Sequence, residues 1–389
     1  MIRVLHVITG LQRGGAEAML VKLLSRMDGT RFENHVVTLQ SGGSLWQEIE
    51  PHCRSLTSLG IGSPVQGPQA IFTLQRHMRR LKPDVVQTWL YHGDLVGGLA
   101  AKLCGLRFIW NIRSSNMDMR RYSLASRTVL AILPYLSRLP VAVVANSRAG
   151  QVAHEALGYR PQRWVVIPNG FDTERFRPDP AAAVDIRQEL GLAPDAFVVG
   201  MVARFDPKKD HETFLRAAAL QAEHHPHTRF VLVGPGLAAE GGALAARVRA
   251  SGLQGKVLLL EERADIPRVL QAFDVATLSS AFGEGFPNCV GEAMSCGIPC
   301  VVTDVGDSAL IVGETGQVVP PADPAALAAA WAALAAAGPA ERKTLGEAAR
   351  KRIIGRYALP AIVRQYEDLY TTAGEGSAAH RRSEVSPVV

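Results

Sequence analysis

The sequence predicts an α/β protein built from two Rossmann-like halves, each a doubly wound parallel sheet. Three observations carry this expectation. Apolar, β-branched runs alternate with longer segments of helical period through most of the 389 residues. Those runs are near-continuously apolar, as strands buried on both faces are. The alternation stops once, at PNGFDTERFRPDPAAA (168–183), and then resumes, which reads as a linker between two parts of domain size.

Taken in order, the strands expected in the first half are Arg3–Ile8, His35–Leu39, Asp84–Trp89, Arg107–Ile112, Val141–Ala145 and Trp164–Ile167. Helical segments fall near 16–26, 68–81, 94–104, 122–138 and 148–157. In the second half the strands are Phe197–Val202, Arg229–Val233, Lys256–Leu260, Val275–Leu278, Ile298–Val302 and Gln317–Val319. Helices near 211–224, 240–251, 266–272, 288–296 and 324–337 separate them. A last helical pattern covers 358–372, and the small, polar residues 373–389 have the composition of a disordered tail. The expected division is 1–175, 176–355, a closing helix at 356–372 and the tail 373–389. Two such sheets facing each other would leave a cleft at their strand C-terminal ends, where open α/β sheets bind ligands.

Bulk properties narrow the function. With 47% hydrophobic and 20% charged residues the composition suits a soluble globular protein. Five cysteines, an odd count with no CxxC pair, argue for a reducing compartment and against a disulfide framework or zinc site. The start MIRVLHVITG reads as a strand rather than a signal peptide. The most apolar stretch, Leu124 to Ala145, is interrupted by Arg127, Pro134, Arg138 and Pro140, so no membrane span is expected. The location expected is cytoplasmic. Residues 1–180 carry 22 Lys+Arg against 12 Asp+Glu, a balance of +10, whereas the remainder carries 20 against 24. A basic front half favours an anionic partner such as a membrane surface or a phosphate-bearing acceptor. Nucleic acid is not expected, because no zinc finger, helix-turn-helix or aromatic RNA motif is present.

Three stretches carry chemistry. In TGLQRGGAEAML (9–20), Gly14 and Gly15 precede a helix start, where backbone N–H groups can approach a phosphate. Their spacing is not GxGxxG, which argues against a nicotinamide dehydrogenase. In VARFDPKKDHETF (202–214), Arg204 leaves a strand and Lys209 precedes a helix, two cations that suit a diphosphate leaving group. The plainer alternative is a solvated loop with Asp206 and Asp210 as local partners. In SSAFGEGFPNCVGEAMSCGIPCVVTD (279–304), Glu284 lies in a Gly-rich loop and Glu292 inside the apolar helix that follows. A semi-buried Glu there needs a partner, and ribose hydroxyls would supply one. The loop Gly283–Asn288 offers backbone N–H groups to phosphate or sugar.

These stretches, with VIPNGFDTERF, VLVGPG and GQVVPPADPAALA, resemble the large retaining glycosyltransferase family of the GT-B fold, family 4, across residues 1–330. The resemblance implies two Rossmann-like domains facing across a cleft, with a closing helix crossing back to the first. It implies that Arg204 and Lys209 hold the donor diphosphate and that Glu284 lies near the transferred sugar. Glu292 is placed on the donor ribose, with Gly285, Phe286, Pro287 and Asn288 lining the donor. Gly14 and Gly15 approach the donor phosphate and acceptor. Arg263 and Ile266 lie where the family holds the nucleobase. Two departures stand out. Where many members carry a His after the fourth strand, this chain reads WNIRSSNMD, leaving Asn111, Arg113 and the more distant His92 as acceptor-side candidates. VGDSALIV (305–312) replaces the common Gly-Gly-x-x-Glu.

The activity implied is transfer of a sugar, with retention, from a UDP- or GDP-type nucleotide sugar to a hydroxyl of a glycan or lipid-linked acceptor in envelope polysaccharide synthesis. No cofactor and no metal site are expected. A nucleotide-sugar-binding protein without transfer and a GT-B epimerase are the alternatives. The basic stretches QRHMRRLK (75–82) and RRYSLASRTVLAILPYLSRL (120–139) suit contact with anionic lipid at the inner face of the cytoplasmic membrane, or else the solvated faces of core helices.

Overall fold

The computed structural model describes residues 1–62, 66–115, 123–238 and 242–383, with side chains as far as Glu375. The chain forms two compact units: Met1–Gly170 together with the segment from Leu359, and Phe171–Ala358. The divisions fall at 170/171 and 358/359, rather than at 175/176 and 355/356.

In the first unit the elements run β1 (Ile2–Ile8), α1 (Gly15–Leu24), β2 (Phe32–Thr38), α2 (Trp46–Ile49), β3 (Ser55–Ser58), α3 (Gly67–Leu81), β4 (Val85–Trp89), α4 (Leu90–Leu103), β5 (Phe108–Ile112), α5 (Leu124–Leu136), β6 (Ala142–Ala145), α6 (Arg148–Ala156) and β7 (Trp164–Val166). Seven strands pair in the order β3-β2-β1-β4-β5-β6-β7. All the pairings are parallel; Leu5 of β1, for example, faces His35 on one side and Val86 on the other. Every residue of β4 and β5 is buried, which is why both read as near-continuous apolar runs broken only by Gln87, Thr88 and Asn111. The short, half-buried SLTS of β3 gave no such signal.

The second unit contains α7 (Pro180–Glu189), β8 (Phe197–Val202), α8 (His211–His224), β9 (Thr228–Val233), α9 (Ala243–Ala250), β10 (Val257–Leu260), α10 (Ile266–Leu270), β11 (Val275–Leu278), α11 (Asn288–Ser295), β12 (Cys300–Thr303), α12 (Ser308–Val312), β13 (Gln317–Val319) and α13 (Pro324–Tyr357). Its six parallel strands take the order β10-β9-β8-β11-β12-β13. The expected linker 168–183 already holds the start of α7, whose N-cap Asp179 accepts from Ala182 N at 3.0 Å ahead of Pro180. The helix expected to end at 337 kinks at Gly338 (φ 78°), before Pro339, and continues to Tyr357. Trp331 of α13 packs edge-on to Phe214, 5.0 Å between centroids, and its indole N–H donates to Thr277 at 2.9 Å.

The last helix, α14 (Leu359–Ser383), packs on the first unit. Ile362, Tyr366, Leu369 and Tyr370 join the core of Val4, Ile8 and Trp89. The tail expected to be disordered from 373 is instead helical as far as Ser383; residues 384–389 lie outside the described residues. Ala373 is buried, and Gly374 lies close to Ile2 and Asp84, so packing carries the helix past the point where composition predicts its end.

His6 is wholly buried in this core. Trp89 Nε1–H donates to its Nδ1 at 3.3 Å, so the ring proton sits on Nε2, which faces Asn34 Oδ1 at 3.2 Å. Burial lowers its pKa to about 4, and burial with Lys209 nearby lowers that of His211, in the second unit, to about 4 as well. In both cases the unfolded chain takes the proton first, so stability is full above about pH 6.5 and is lost as the pH falls toward 4. The loss approaches 1.4 kcal/mol per pH unit for each ring. Thermal unfolding at pH 7 and pH 5 should show this fall, and His211→Leu should be less acid-sensitive than wild type. An unchanged acid response in that variant would contradict the assignment.

Candidate active site

In the second sheet the strand order reverses direction between β8 and β11, the point at which open α/β sheets place their ligands. The segments leaving these two strands build one site. After β8, Arg204 is followed by a 3₁₀ turn, Pro207–Lys209, capped by Asp206, which accepts from Lys208 N at 2.9 Å. Asp210 then adopts φ 48° and caps α8, accepting from Thr213 N at 3.1 Å and Thr213 Oγ1 at 2.6 Å. These two caps fix the backbone on either side of Lys209.

After β11, Ser279 Oγ donates to the Lys209 carbonyl at 2.8 Å, and Ala281 N donates to that of Lys208 at 2.9 Å. The two strand ends are thus tied together by backbone. Ser280 Oγ donates to Glu284 Oε1 at 2.6 Å, and Lys209 Nζ meets the same oxygen at 2.5 Å. The side chains of this ion pair are 18% and 11% exposed. Burial pulls the Lys209 pKa down, but the Glu284 carboxylate outweighs it and holds the ammonium above its usual value. Arg204 is far more open, 63% exposed, with Nε 3.3 Å from Asp206. The result is a half-enclosed ammonium near an exposed guanidinium, an arrangement suited to neutralising a departing diphosphate.

The loop carrying Glu284 is clamped from behind. Asp307 N donates to Gly285 O at 2.9 Å, and Gly306 lies at φ 64° with its Cβ position 2.3 Å from the Glu284 carbonyl. Only a residue without a side chain fits there. Phe286 is buried and stacks on Phe171, 6.0 Å between centroids. Pro287 caps α11, Asn288 opens it, and Glu292 lies half-buried within it. Arg263 forks onto Asp265 at 2.8 and 2.7 Å and also meets Glu189 at 2.8 Å, and Ile266 begins α10. Here, then, the Arg263 guanidinium is engaged in an ion-pair network.

The remaining candidates belong to the first unit, whose strand order reverses between β1 and β4. Gly14 caps α1 and Gly15 is its first residue. The helix start is occupied by Glu17, whose carboxyl bends back to its own backbone N–H, and a Cβ on Gly14 would lie 2.5 Å from Glu17 Oε2. Leu90, directly after β4, holds φ 66°, a strained backbone for a non-glycine residue. His92 is half-buried on α4, and burial lowers its pKa. Asn111 and Arg113 both donate to the Tyr366 hydroxyl, at 3.2 and 3.3 Å. Sequence reasoning missed Ser279, Ser280, Gly306 and Tyr366. The two serines directly precede the Gly-rich loop and were the available signal, whereas nothing local marks Tyr366, 253 residues from Arg113.

Comparison with known proteins agrees with this arrangement. The family model "Glycosyltransferase Family 4" matches residues 13–175 and "Glycosyl transferases group 1" matches 196–337. EpsF of Bacillus subtilis (strain 168), named as a glycosyltransferase, is 29% identical over 324 residues, 78% of this chain and 79% of that protein. The UDP-Gal:alpha-D-GlcNAc-diphosphoundecaprenol alpha-1,3-galactosyltransferase of Escherichia coli is 25% identical over 80% of this chain and 82% of its own. The solved structure of Anabaena Alr3699/HepE in complex with UDP superposes with a TM-score of 0.82 at 24% identity, covering 95% of this chain and all of that one. Two parallel α/β sheets of this kind define the GT-B fold. The chain belongs to the family 4 type of GT-B glycosyltransferases and is a transferase.

Proposed function

We propose that the chain moves a hexosyl group from a UDP-sugar, with retention of configuration, to a hydroxyl of a glycan or lipid-linked acceptor in envelope polysaccharide synthesis. The carrying observation is the Lys209–Glu284 pair at the switch point of the second sheet, with Arg204 beside it. Lys209 and Arg204 neutralise the diphosphate as it departs, the loop amides near Glu284 bind phosphate or sugar, and Glu292 receives the ribose hydroxyls. Uridine is favoured over guanosine because the Escherichia coli relative is named for UDP-Gal and HepE was solved with UDP. A diphosphate-linked lipid is the acceptor in that relative's name, which supports the same class here.

Proton NMR of UDP-glucose and UDP-galactose incubated with the protein, with and without a diphosphate-lipid acceptor, tests this reading. An α-configured donor should yield an α-configured product. An initial β product would refute retention, and no consumption of either UDP-sugar would refute the proposed donor.

No helix among the described residues is long and apolar enough to cross a membrane. Contact with a lipid surface is instead supported by α5, where Leu124 is 80% and Tyr135 87% exposed along a helix containing Arg127. Arg120 and Arg121, which the sequence reading adds to this stretch, lie outside the described residues. Flotation with anionic vesicles should be strong for the wild type and weak for Leu124→Ser/Tyr135→Ser. Equal flotation of the two would remove α5 from the account.

A further inference from the structure

At the C-terminal edge of the first sheet a guanidinium stands, among the described residues, without a carboxylate at ion-pair distance. Arg113 follows β5, its Nη1 donating to the Tyr366 hydroxyl and its Nη2 to the Asn169 amide oxygen. Its centre lies 5.6 Å from the centroid of the Trp89 ring. Each of these partners is neutral. Arg113 Nε is closed off from solvent and makes no hydrogen bond. Asn111, fully buried beside it, donates an amide N–H to the same hydroxyl. A partly buried cation whose partners among the described residues are neutral carries a desolvation cost that a bound anion repays.

One carboxyl acts on Arg113 through space, that of Glu17. It is bent back over the start of α1, the place where a helix draws an anion. The arrangement therefore has, among the described residues, a cation without a carboxylate at ion-pair distance and a side-chain carboxyl already bent over the neighbouring helix start. Residues 1–180 carry a balance of +10, a field that draws anions toward this unit.

We infer that Arg113 binds a phosphate group of the acceptor, and that the Glu17 carboxylate holds the neighbouring anion position until that phosphate arrives. The word acceptor rests on the glycosyl-transfer reading; the anion site rests on residues of the first unit alone. The phosphate has two sources, a lipid-linked diphosphate or a soluble sugar phosphate.

The test is thermal unfolding of the full chain with saturating UDP, at constant ionic strength, on addition of inorganic phosphate, farnesyl diphosphate or glucose 6-phosphate. Wild type should gain about 3 °C or more at tenfold excess over Kd. Arg113→Gln should lose that gain while keeping the UDP shift, which also shows that it folds. If Arg113→Gln does not fold, Arg113→Lys, which keeps the charge but loses the fork of donors, should show a reduced gain. Glu17→Gln should respond more strongly than wild type, because a competing charge is gone; a purely structural Glu17 would not move the response in that direction. A larger gain from farnesyl diphosphate assigns the lipid source, and one from glucose 6-phosphate the soluble source. Equal gains in wild type and Arg113→Gln, a weaker response in Glu17→Gln, or no gain in a wild type that still responds to UDP would each overturn the inference. If UDP itself gives no shift, the donor reading has failed. The phosphate response of an Arg204→Ala chain then still decides the anion site by the same criteria.

Discussion

Lys209→Ala is expected to reduce sugar transfer on the order of 10³-fold, the scale seen when one fixed electrostatic donor is removed from an active site. The same change leaves Glu284, 11% exposed, without its cation. Breaking a buried pair costs about 3–5 kcal/mol, so the melting temperature should fall too. Two further variants separate chemistry from stability. Arg204 is 63% exposed and pairs with Asp206 at 3.3 Å, so Arg204→Ala should lose turnover with its melting temperature nearly unchanged. Glu284→Gln keeps a group that can accept from Ser280 and Lys209, so it should stay folded while turnover falls. Steady-state rates beside melting curves check all three. Full turnover in Arg204→Ala and Lys209→Ala would remove the pair from the mechanism.

Gly306→Ala should produce a large stability loss for a single methyl addition. Its φ of 64° costs a non-glycine residue about 1–2 kcal/mol, and its new Cβ would stand 2.3 Å from Glu284 O and 2.9 Å from Gly285 O. Both obstacles are backbone, so the loop bearing Glu284 must move. A fall of about 5–10 °C in Tm is expected, together with weaker nucleotide binding. Gly338 is the control, with φ 78° but nothing within 4 Å of its Cβ position. Gly338→Ala should therefore pay only the conformational cost and leave nucleotide binding intact. Equal effects of the two substitutions on binding would show that the clamp behind Glu284 does not matter.

Most of the fold was legible because it is periodic. Strands buried on both faces, such as Val85–Trp89 and Phe108–Ile112, announce themselves as near-continuous apolar runs. What escaped was held by context. Ser55–Ser58 is a polar edge strand, paired with β2 alone. The helix Pro180–Glu189 hides among residues that also suit a linker. Helix α14 continues past 372 because Ala373 and Gly374 pack against the first unit, which no local composition records.

The site divides in the same way. Arg204, Lys209 and Glu284 could be picked out because charged residues at two strand ends are rare and chemically specific, and the structure brings Lys209 and Glu284 into contact. Arg263 could not be judged from sequence, since its pairing with Glu189 depends on where α7 lies. The role of Glu17 was not read from the sequence, since its carboxyl returning to its own N–H at the start of α1 follows no capping box.

The central claim is that the second unit binds a nucleotide-sugar donor through Glu292 and the Lys209–Glu284 pair. Calorimetric titration of UDP and GDP into wild type and Glu292→Ala tests it most directly. Saturable binding of UDP to wild type is expected, weaker for GDP, with UDP affinity reduced tenfold or more in Glu292→Ala, as loss of a charged hydrogen bond implies. A wild type that binds neither nucleotide at millimolar concentration, or a Glu292→Ala chain that binds UDP as tightly as wild type, would contradict it.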